Sequence, residues 1–488
     1  MQVLIVGLYS RWTPHLETDL ELAENHLRAG DTVTQLSCER DLEACDIDPT
    51  HSVRACVRCI GRRNAGLRAL SGPLSVRRFP SLLTADDRLA LAQVKTRFES
   101  MAALRAYRFG SFDVGFAVQS SIIWARRDSD LELAAVADDV ARFMRSACAM
   151  YLAVKRYLSE QPTDRVYVFN GRMAPMRAAL RACQELGVEC VIHERGCDPE
   201  HYSLHVNALP HDIANTERMI RAAWDAPAPD RNEKVRIATA WYDQRSNGGA
   251  TSWISFTESQ ERSSLPQDWD PTRRNLTVFT TSEFEFAAIS DEWSNPVFAD
   301  NTAGLCDFVR AVAGREGVHV YLRMHPNLKG LDNASTRALR ALSVAGATVL
   351  APESKVCSYA LMGASEKVVV TGSSVGIEAA FRGVPALLAG KCYYRDLGAV
   401  HLPATFDELV EMALARDLPV LDREGALMYG YYMATFGHRF RHFAPRGLFD
   451  GEFKGERIKA SRAAKALWPA VLRARALVAP RPSSPSDD

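Results

Sequence analysis

A chain of 488 residues with 47% hydrophobic and 24% charged side chains is long enough for two or three domains whose cores need no staples. Lys and Arg number 59, as do Asp and Glu, which excludes a nucleic-acid binder relying on a whole-chain basic field; any charged partner must be met locally. No run of about 18 apolar residues offers a membrane span, and the opening MQVLIVG carries neither a basic leader nor a small-residue cleavage site, so the expected compartment is the cytoplasm, with the eleven cysteines reduced.

In chain order, residues 3–8 form a continuous apolar run. Residues 15–29 have helical spacing through Leu16, Leu20, Ala23 and Leu27, ended by Gly30, and 32–37 read as a second strand. That is a βαβ opening. Longer helices are expected over 86–108 and 138–158. Alternation returns with a strand at 165–170 (RVYVFN), a helix at 174–186 stopped by Gly187, and a strand at 188–194 (VECVIHE), which implies a parallel sheet with helices on both faces. Residues 1–224 therefore read as an N-terminal domain. Between 225 and 274 the composition shifts, from DAPAPD through a helix-like 232–245 into Gly-, Ser- and Trp-containing sequence without a period, and this stretch reads as an interdomain connection. A second doubly wound domain is expected over 275–440, from strands at 276–281, 318–324, 348–351, 367–371 and 386–389 and helices at 302–315, 355–364 and 375–382. Residues 441–479 read as a basic helical segment and 480–488 as a disordered tail. The expected fold class is α/β, with two doubly wound, Rossmann-like domains facing a cleft.

Ligands of open parallel sheets bind beyond the carboxyl ends of the strands, and three such ends carry chemistry. The strand at 318–324 runs into His325-Pro326-Asn327, leaving an imidazole at its tip; a proline-terminated structural turn is the alternative. The strand at 367–371 runs into Gly372-Ser373-Ser374 and a helix, where hydroxyls and N–H groups suit an anion and Glu378, one turn further in, can reach ribose hydroxyls; a serine cap without ligand is the alternative. The strand at 188–194 ends in Glu194-Arg195-Gly196 beside a neighbour ending in Asn170-Gly171-Arg172. Glu194 is thus a candidate general base or half of a Glu–Arg surface pair, and Asn170, Arg172 and Arg195 are candidates to position substrate.

These residues carry a resemblance. YLRMHPN (321–327), residues 354–359 and TGSSVGIEAAFRGVPALLAGKCYYRDL (371–397) resemble the C-terminal half of the capsule polysaccharide biosynthesis proteins, a GT-B-like glycosyltransferase group that includes Kdo transferases using CMP-activated sugar. The similarity covers 276–397 and, more loosely, 165–212, where the order strand, NGR, helix, strand, ERG is kept. In these enzymes and the similar bacterial sialyltransferases a His-Pro and a Ser/Thr pair hold the nucleotide, which implies that role for His325, Pro326, Ser373 and Ser374. An acidic residue in an Asp/Glu-x-Gly turn acts as base, which implies Glu194, although Arg195 stands where an acidic residue often stands in the sialyltransferases. The resemblance implies a GT-B-like glycosyltransferase that moves a sugar from a nucleotide donor, a CMP-linked acidic sugar foremost, to a surface or capsular polysaccharide or lipid-linked glycan. No metal is required for such chemistry: a helix start and an imidazole meet the charge on the leaving phosphate, a carboxylate from the other domain takes the acceptor proton, and closure excludes water. Two other readings stay open, a polyol-phosphate transferase of cell-surface polymer synthesis and a non-catalytic polysaccharide assembly or export partner.

Cys38, Cys45, Cys56 and Cys59 lie within 22 residues and include a C-x2-C pair. Four thiolates suit a structural tetrahedral zinc, but the first pair is spaced C-x6-C, and reduced core or surface cysteines are the alternative. Between 454 and 481 eight basic residues stand against Glu456 alone, with Ile458, Leu467, Trp468, Leu472 and Leu477 among them. Such a segment either lies on an anionic bilayer, placing the protein peripherally on the inner face of the membrane near a lipid-linked acceptor, or packs back on the first domain as a terminal helix, with Pro469 interrupting it.

Overall fold

The computed structural model describes residues 1–249 and 254–478 and divides into two units. The first holds Met1–Arg127, Leu131–Pro210 and the chain from Gly437 onward; the second holds Asp128–Asp130 and His211–Phe436. The expected disordered tail, 480–488, lies outside the described residues.

In the first unit the strands are β1 (Gln2–Gly7), β2 (Thr32–Ser37), β3 (Ser75–Arg78), β4 (Arg165–Phe169), β5 (Glu189–Arg195) and β6 (His201–Val206), and the helices are α1 (His15–Arg28), α2 (Val53–Arg68), α3 (Ala85–Ala92), α4 (Met101–Ala106), α5 (Val114–Arg126), α6 (Leu133–Glu160) and α7 (Ala174–Leu186). The sheet order is β6-β5-β4-β1-β2-β3, with His438–Arg439 closing the β6 edge. Pairing is parallel from β5 through β3, whereas β5–β6 and the edge pair are antiparallel. Alternation along β1 sorts the two faces: Leu4 and Val6 join a core with residues of α5, α6 and α7, while Val3 and Ile5 join Leu16 and Leu20 of α1. The expected helix over 86–108 is two short ones. Thr84 caps α3 and Ser100, accepting from the Ala103 N–H at 3.1 Å, starts α4 afresh.

The second unit is built on β7 (Arg274–Phe279), β8 (Val318–Arg323), β9 (Thr348–Leu350), β10 (Lys367–Val370) and β11 (Ala386–Leu388), all parallel in the order β11-β10-β7-β8-β9. Its helices are α8 (Ile213–Asp225), α9 (Arg231–Ser246), α10 (Asn301–Val312), α11 (Ala334–Ala341), α12 (Ser358–Ala364), α13 (Val375–Phe381), α14 (Phe406–Leu414) and α15 (Glu424–Thr435). The chain starts at β7 in the middle, walks outward to β9 and returns to β10. Strand order therefore reverses beside β7, where a doubly wound sheet leaves its crevice. Two parallel-cored α/β units are thus present. The expected connection over 225–274 is corrected: α8 and α9 pack on α15 through Trp224, Trp241, Tyr242 and Tyr431, inside the core of the second unit.

The last described helix is α16 (Arg462–Val478), in the basic segment. Trp468 and Leu472 pack against Val53, Val57 and Ile60 of α2. These two apolar residues pack on the first unit, as the terminal-helix reading expects, while Leu467 is exposed. Among the described residues no helix is long and apolar enough to cross a membrane.

Candidate functional site

At the carboxyl ends of β7, β8 and β10 the second unit gathers Thr280, His325, Ser373 and Ser374 around a cavity of about 220 Å³, also lined by Arg245, Gln260, Arg323, Tyr359 and Glu378. His325 follows β8 and its backbone N–H donates to Thr280 Oγ1 at 2.9 Å. Its ring Nδ1 accepts the Asn327 N–H at 3.1 Å and lies 3.0 Å from Ser282 Oγ. A ring nitrogen that accepts a backbone N–H carries no proton, so the proton is on Nε2. Burial, reinforced by the neighbouring Arg323 guanidinium, lowers the imidazole pKa to about 4. The site therefore offers a neutral Nε2–H donor. Pro326 opens the short turn that returns Asn327 to the ring.

Arg323 is 2% exposed and donates to the carbonyls of Ala351 and Ser354 at 2.9 Å each, while its Nε has no hydrogen-bond partner among the described residues. Burial lowers its pKa to about 10, and it remains a cation in the cavity wall. An anion is the ligand that such a wall suits. At the end of β10, Gly372 has φ +151°, and a Cβ there would stand 2.9 Å from the Lys391 carbonyl oxygen; only glycine makes this turn without a shift. Ser373 Oγ accepts from the Val375 N–H at 3.3 Å. The helix that follows, α13, has seven residues, so its dipole is short and offers an anion less than the expected helix start would.

Glu378 is 2% exposed. Its Oε1 accepts from Arg245 Nη2 and Ser374 Oγ, both at 2.9 Å, and its Oε2 accepts from the Tyr359 hydroxyl. Glu378 therefore first orients Ser374 and Arg245 rather than standing open for a ribose. Arg245, over the Trp241 ring at 4.9 Å, was missed because it lies in the stretch read as a connection. Thr280 and Ser282 were legible in principle, since they follow β7 as His325 follows β8.

A second cavity, of about 210 Å³, shares His325, Ser373 and Ser374 and is further lined by Ser282, Glu285, Phe286, Trp293 and Tyr393.

In the first unit Asn170, Arg172, Glu194 and Arg195 come together at the ends of β4 and β5. Asn170 and Gly171 both have positive φ, 60° and 69°, a strained tip of the kind held at functional sites. Asn170 Nδ2 donates to Glu194 Oε2 at 2.8 Å and its Oδ1 accepts the Arg172 N–H at 3.2 Å; Glu194 Oε1 accepts the Arg195 N–H at 3.0 Å. Glu194 is half-buried. Arg172, 2% exposed, donates from Nε to Ser120 Oγ at 2.7 Å and ties the tip to α5. Arg195 reaches the carbonyls of Leu448 and Thr13 at 2.9 and 3.0 Å, so its guanidinium braces two loops. Sequence reasoning missed two buried groups beside them, Asp19 and His15. Asp19 Oδ1 lies 2.9 Å from Nε2 of the fully buried His193, and His15 packs on Phe169, tilted by 36° with centroids 3.8 Å apart. Burial, then Arg195 and His193, hold the His15 pKa well below the usual imidazole range. The signal was His15 and Asp19 one turn apart on the helix that follows β1.

Cys38, Cys45, Cys56 and Cys59 line one small cavity with Arg40 and His51. Burial pushes the Cys38 thiol up to about 12 and Cys56 to about 11. Among the described residues, the ligand atoms that lie within 4.8 Å of one another belong instead to Cys197, Asp198 and His201. There Asp198 Oδ1 is 2.6 Å from His201 Nδ1 and accepts the Glu200 N–H at 2.7 Å, the bonds of a tight turn between β5 and β6.

No family model matches the sequence, and no curated protein matches it. Among solved structures, the chain is similar to the beta Kdo 2,4 transferase KpsC of Thermosulfurimonas dismutans, at 12% identity over 55% of this chain and 79% of that one, with a TM-score of 0.35. It is similar to the beta Kdo 2,7 transferase KpsC of the same organism at 14% identity over 66% and 89%, with a TM-score of 0.36. The spinosyn rhamnosyltransferase SpnG complexed with thymidine diphosphate matches at 13% identity over 89% and 96%, with a TM-score of 0.26.

Proposed function

We propose that this protein is a glycosyltransferase that binds a nucleotide-activated sugar in its second unit. The observation that carries the reading is the convergence, at the carboxyl ends of three neighbouring parallel strands, of a neutral imidazole donor, two serines and a buried guanidinium around one cavity. A donor phosphate set there accepts from His325 Nε2–H and the serine turn, with the Arg323 charge behind it. These groups stabilise most strongly the charge that grows as the anomeric C–O bond to the phosphate breaks. The new bond forms from an acceptor hydroxyl oxygen to the anomeric carbon, and its proton passes to a base. Glu194, with Oε2 held by Asn170, is the candidate. The resemblance of residues 276–397 brings a CMP-linked acidic sugar forward as donor and a surface polysaccharide or lipid-linked glycan as acceptor.

The reading is tested by incubating purified protein with CMP-, UDP-, GDP- and CDP-linked donors and a glycan acceptor, following nucleotide release and the glycan product. Glu194→Gln keeps the shape and removes the basic oxygen, so turnover should fall roughly 10²–10⁴-fold while nucleotide affinity holds. Transfer at close to the parent rate assigns the base elsewhere. Nucleotide binding without turnover of any donor favours the non-catalytic assembly partner, and transfer of a polyol phosphate favours the polyol-phosphate transferase.

A further inference from the structure

The turn between β5 and β6 in the first unit holds a second kind of chemistry, independent of what the second unit binds. Residues 197–201 read Cys-Asp-Pro-Glu-His, and one ligand atom from each of Cys197, Asp198 and His201 lies within 4.8 Å of the other two. The backbone closes the turn on itself. The Gly196 N–H donates to the His201 carbonyl at 2.9 Å and the His201 N–H to the Asp198 carbonyl at 3.1 Å. A Cβ at Gly196 would stand 2.6 Å from the His201 Cβ, so glycine is what lets the returning strand approach this closely. From outside, the His438–Arg439 pair lies along β6 and the Phe440 N–H donates to the Glu200 carbonyl at 2.9 Å. The three side chains are therefore presented from a braced frame.

Their exposure is graded. Cys197 is 4% exposed, whereas the Asp198 and His201 side chains are 44% and 24% exposed, so an ion arriving from solvent meets carboxylate and imidazole first and the sulfur last. Asp198 Oδ1 lies 2.6 Å from His201 Nδ1, and the same carboxylate hydrogen-bonds the Cys197 thiol. A carboxylate only accepts, so both neighbours donate to it. Two hydrogens thus point at one anionic group, an arrangement that a single dication can replace. A thiolate and a carboxylate with a neutral imidazole also balance its charge. Around a tetrahedral ion with bonds of about 2.0–2.3 Å the ligand atoms stand roughly 3.3–3.7 Å apart, so shifts of about 1 Å convert the hydrogen-bonded cluster into a coordination shell. Sulfur and nitrogen donors select borderline-soft ions over magnesium and calcium, which take oxygen. We infer that Cys197, Asp198 and His201 bind a divalent cation of the zinc class, which staples β5 to β6 and leaves its fourth position to water. This set is distinct from the four clustered cysteines. Because β5 carries Glu194 and ends at Arg195, a cation bound here steadies the strand end that holds the candidate base.

Cobalt(II) tests this, because a coordinated thiolate gives a sulfur-to-cobalt charge-transfer band in the near ultraviolet. The full chain is reduced, stripped with a chelator, dialysed and titrated with cobalt(II). The wild type should develop the band as it takes up cobalt, zinc should displace the cobalt, and magnesium in excess should not. Cys197→Ala should remove one equivalent of cobalt together with its band. His201→Gln should keep the band at saturation and weaken uptake by more than roughly a hundredfold, since losing a group that merely orients a ligand already costs about 10–100-fold. The Cys56→Ala/Cys59→Ala variant should retain the Cys197-dependent equivalent. Circular dichroism of each variant confirms that it is folded. A wild type that shows no charge-transfer band overturns the proposal and needs no variant. A band of equal intensity in Cys197→Ala overturns it as well, and its loss from Cys56→Ala/Cys59→Ala in that case assigns the ion to the clustered cysteines.

Discussion

The proton on His325 is placed by its neighbours. With Nδ1 accepting the Asn327 N–H and burial disfavouring the imidazolium, the ring offers a phosphate a hydrogen-bond donor and not a cation. His325→Ala should therefore weaken nucleotide binding by about 1–3 kcal/mol, and His325→Gln, which keeps an N–H donor without any charge, should recover a large part of it. Equal losses in the two variants would show that the ring acts through something other than donation. In the first unit Glu17 gives a pH signature. It pairs with Arg62, its side chain is 3% exposed and its Oε2 has no partner; burial outweighs the Arg62 attraction and raises the carboxyl to about 7. Its folded pKa lies above its unfolded one, so this part of the stability is fully present below about pH 4.5 and is lost as pH rises through about 7. Arg62 keeps three carbonyl acceptors at 2.8 to 3.1 Å without Glu17. Glu17→Gln should consequently lose less stability than the wild type between about pH 5 and pH 8, read as the denaturant midpoint; an equal or steeper loss removes Glu17 as the source.

At the scale of elements, α9 is the piece whose role differs most from its sequence appearance. Its Arg245 holds a carboxylate buried under α13, and Glu378 without that partner is a buried charge with only two hydroxyl donors. Arg245→Met should destabilise the second unit by about 3 kcal/mol, and adding Glu378→Gln should restore most of it, measured by denaturant unfolding. A double variant no more stable than the single one would mean that packing over Trp241, rather than charge, is what Arg245 supplies. The β-α alternation was legible because buried parallel strands are short apolar runs bounded by turn residues, as at Lys367–Val370. The strand-end rule then pointed to His325, Ser373 and Ser374, and the structure brings them to one cavity. Arg245, Tyr359 and Glu285 were not legible, because each reaches the site from an element distant in sequence whose own pattern says only helix or loop. The four clustered cysteines show the converse. Sequence proximity put them around one cavity, but convergence of sulfurs depends on side-chain directions that spacing does not encode.

For the whole molecule, two doubly wound units give two sets of strand ends, and each carries its own chemistry: a cavity lined by His325, Ser373, Ser374 and Arg323 in the second, a carboxylate held at a strained tip in the first. The central claim is that the second unit binds a nucleotide through His325, Ser373 and Ser374. Calorimetric titration of CMP, UDP, GDP and CDP into the wild type and into the Ser373→Ala/Ser374→Ala variant tests it most directly. The account predicts saturable binding of one of these nucleotides at one site per chain, weakened by roughly ten- to a hundredfold in the variant, which should still unfold cooperatively. Absence of binding by all four, or a variant that binds as tightly as the parent, would contradict it.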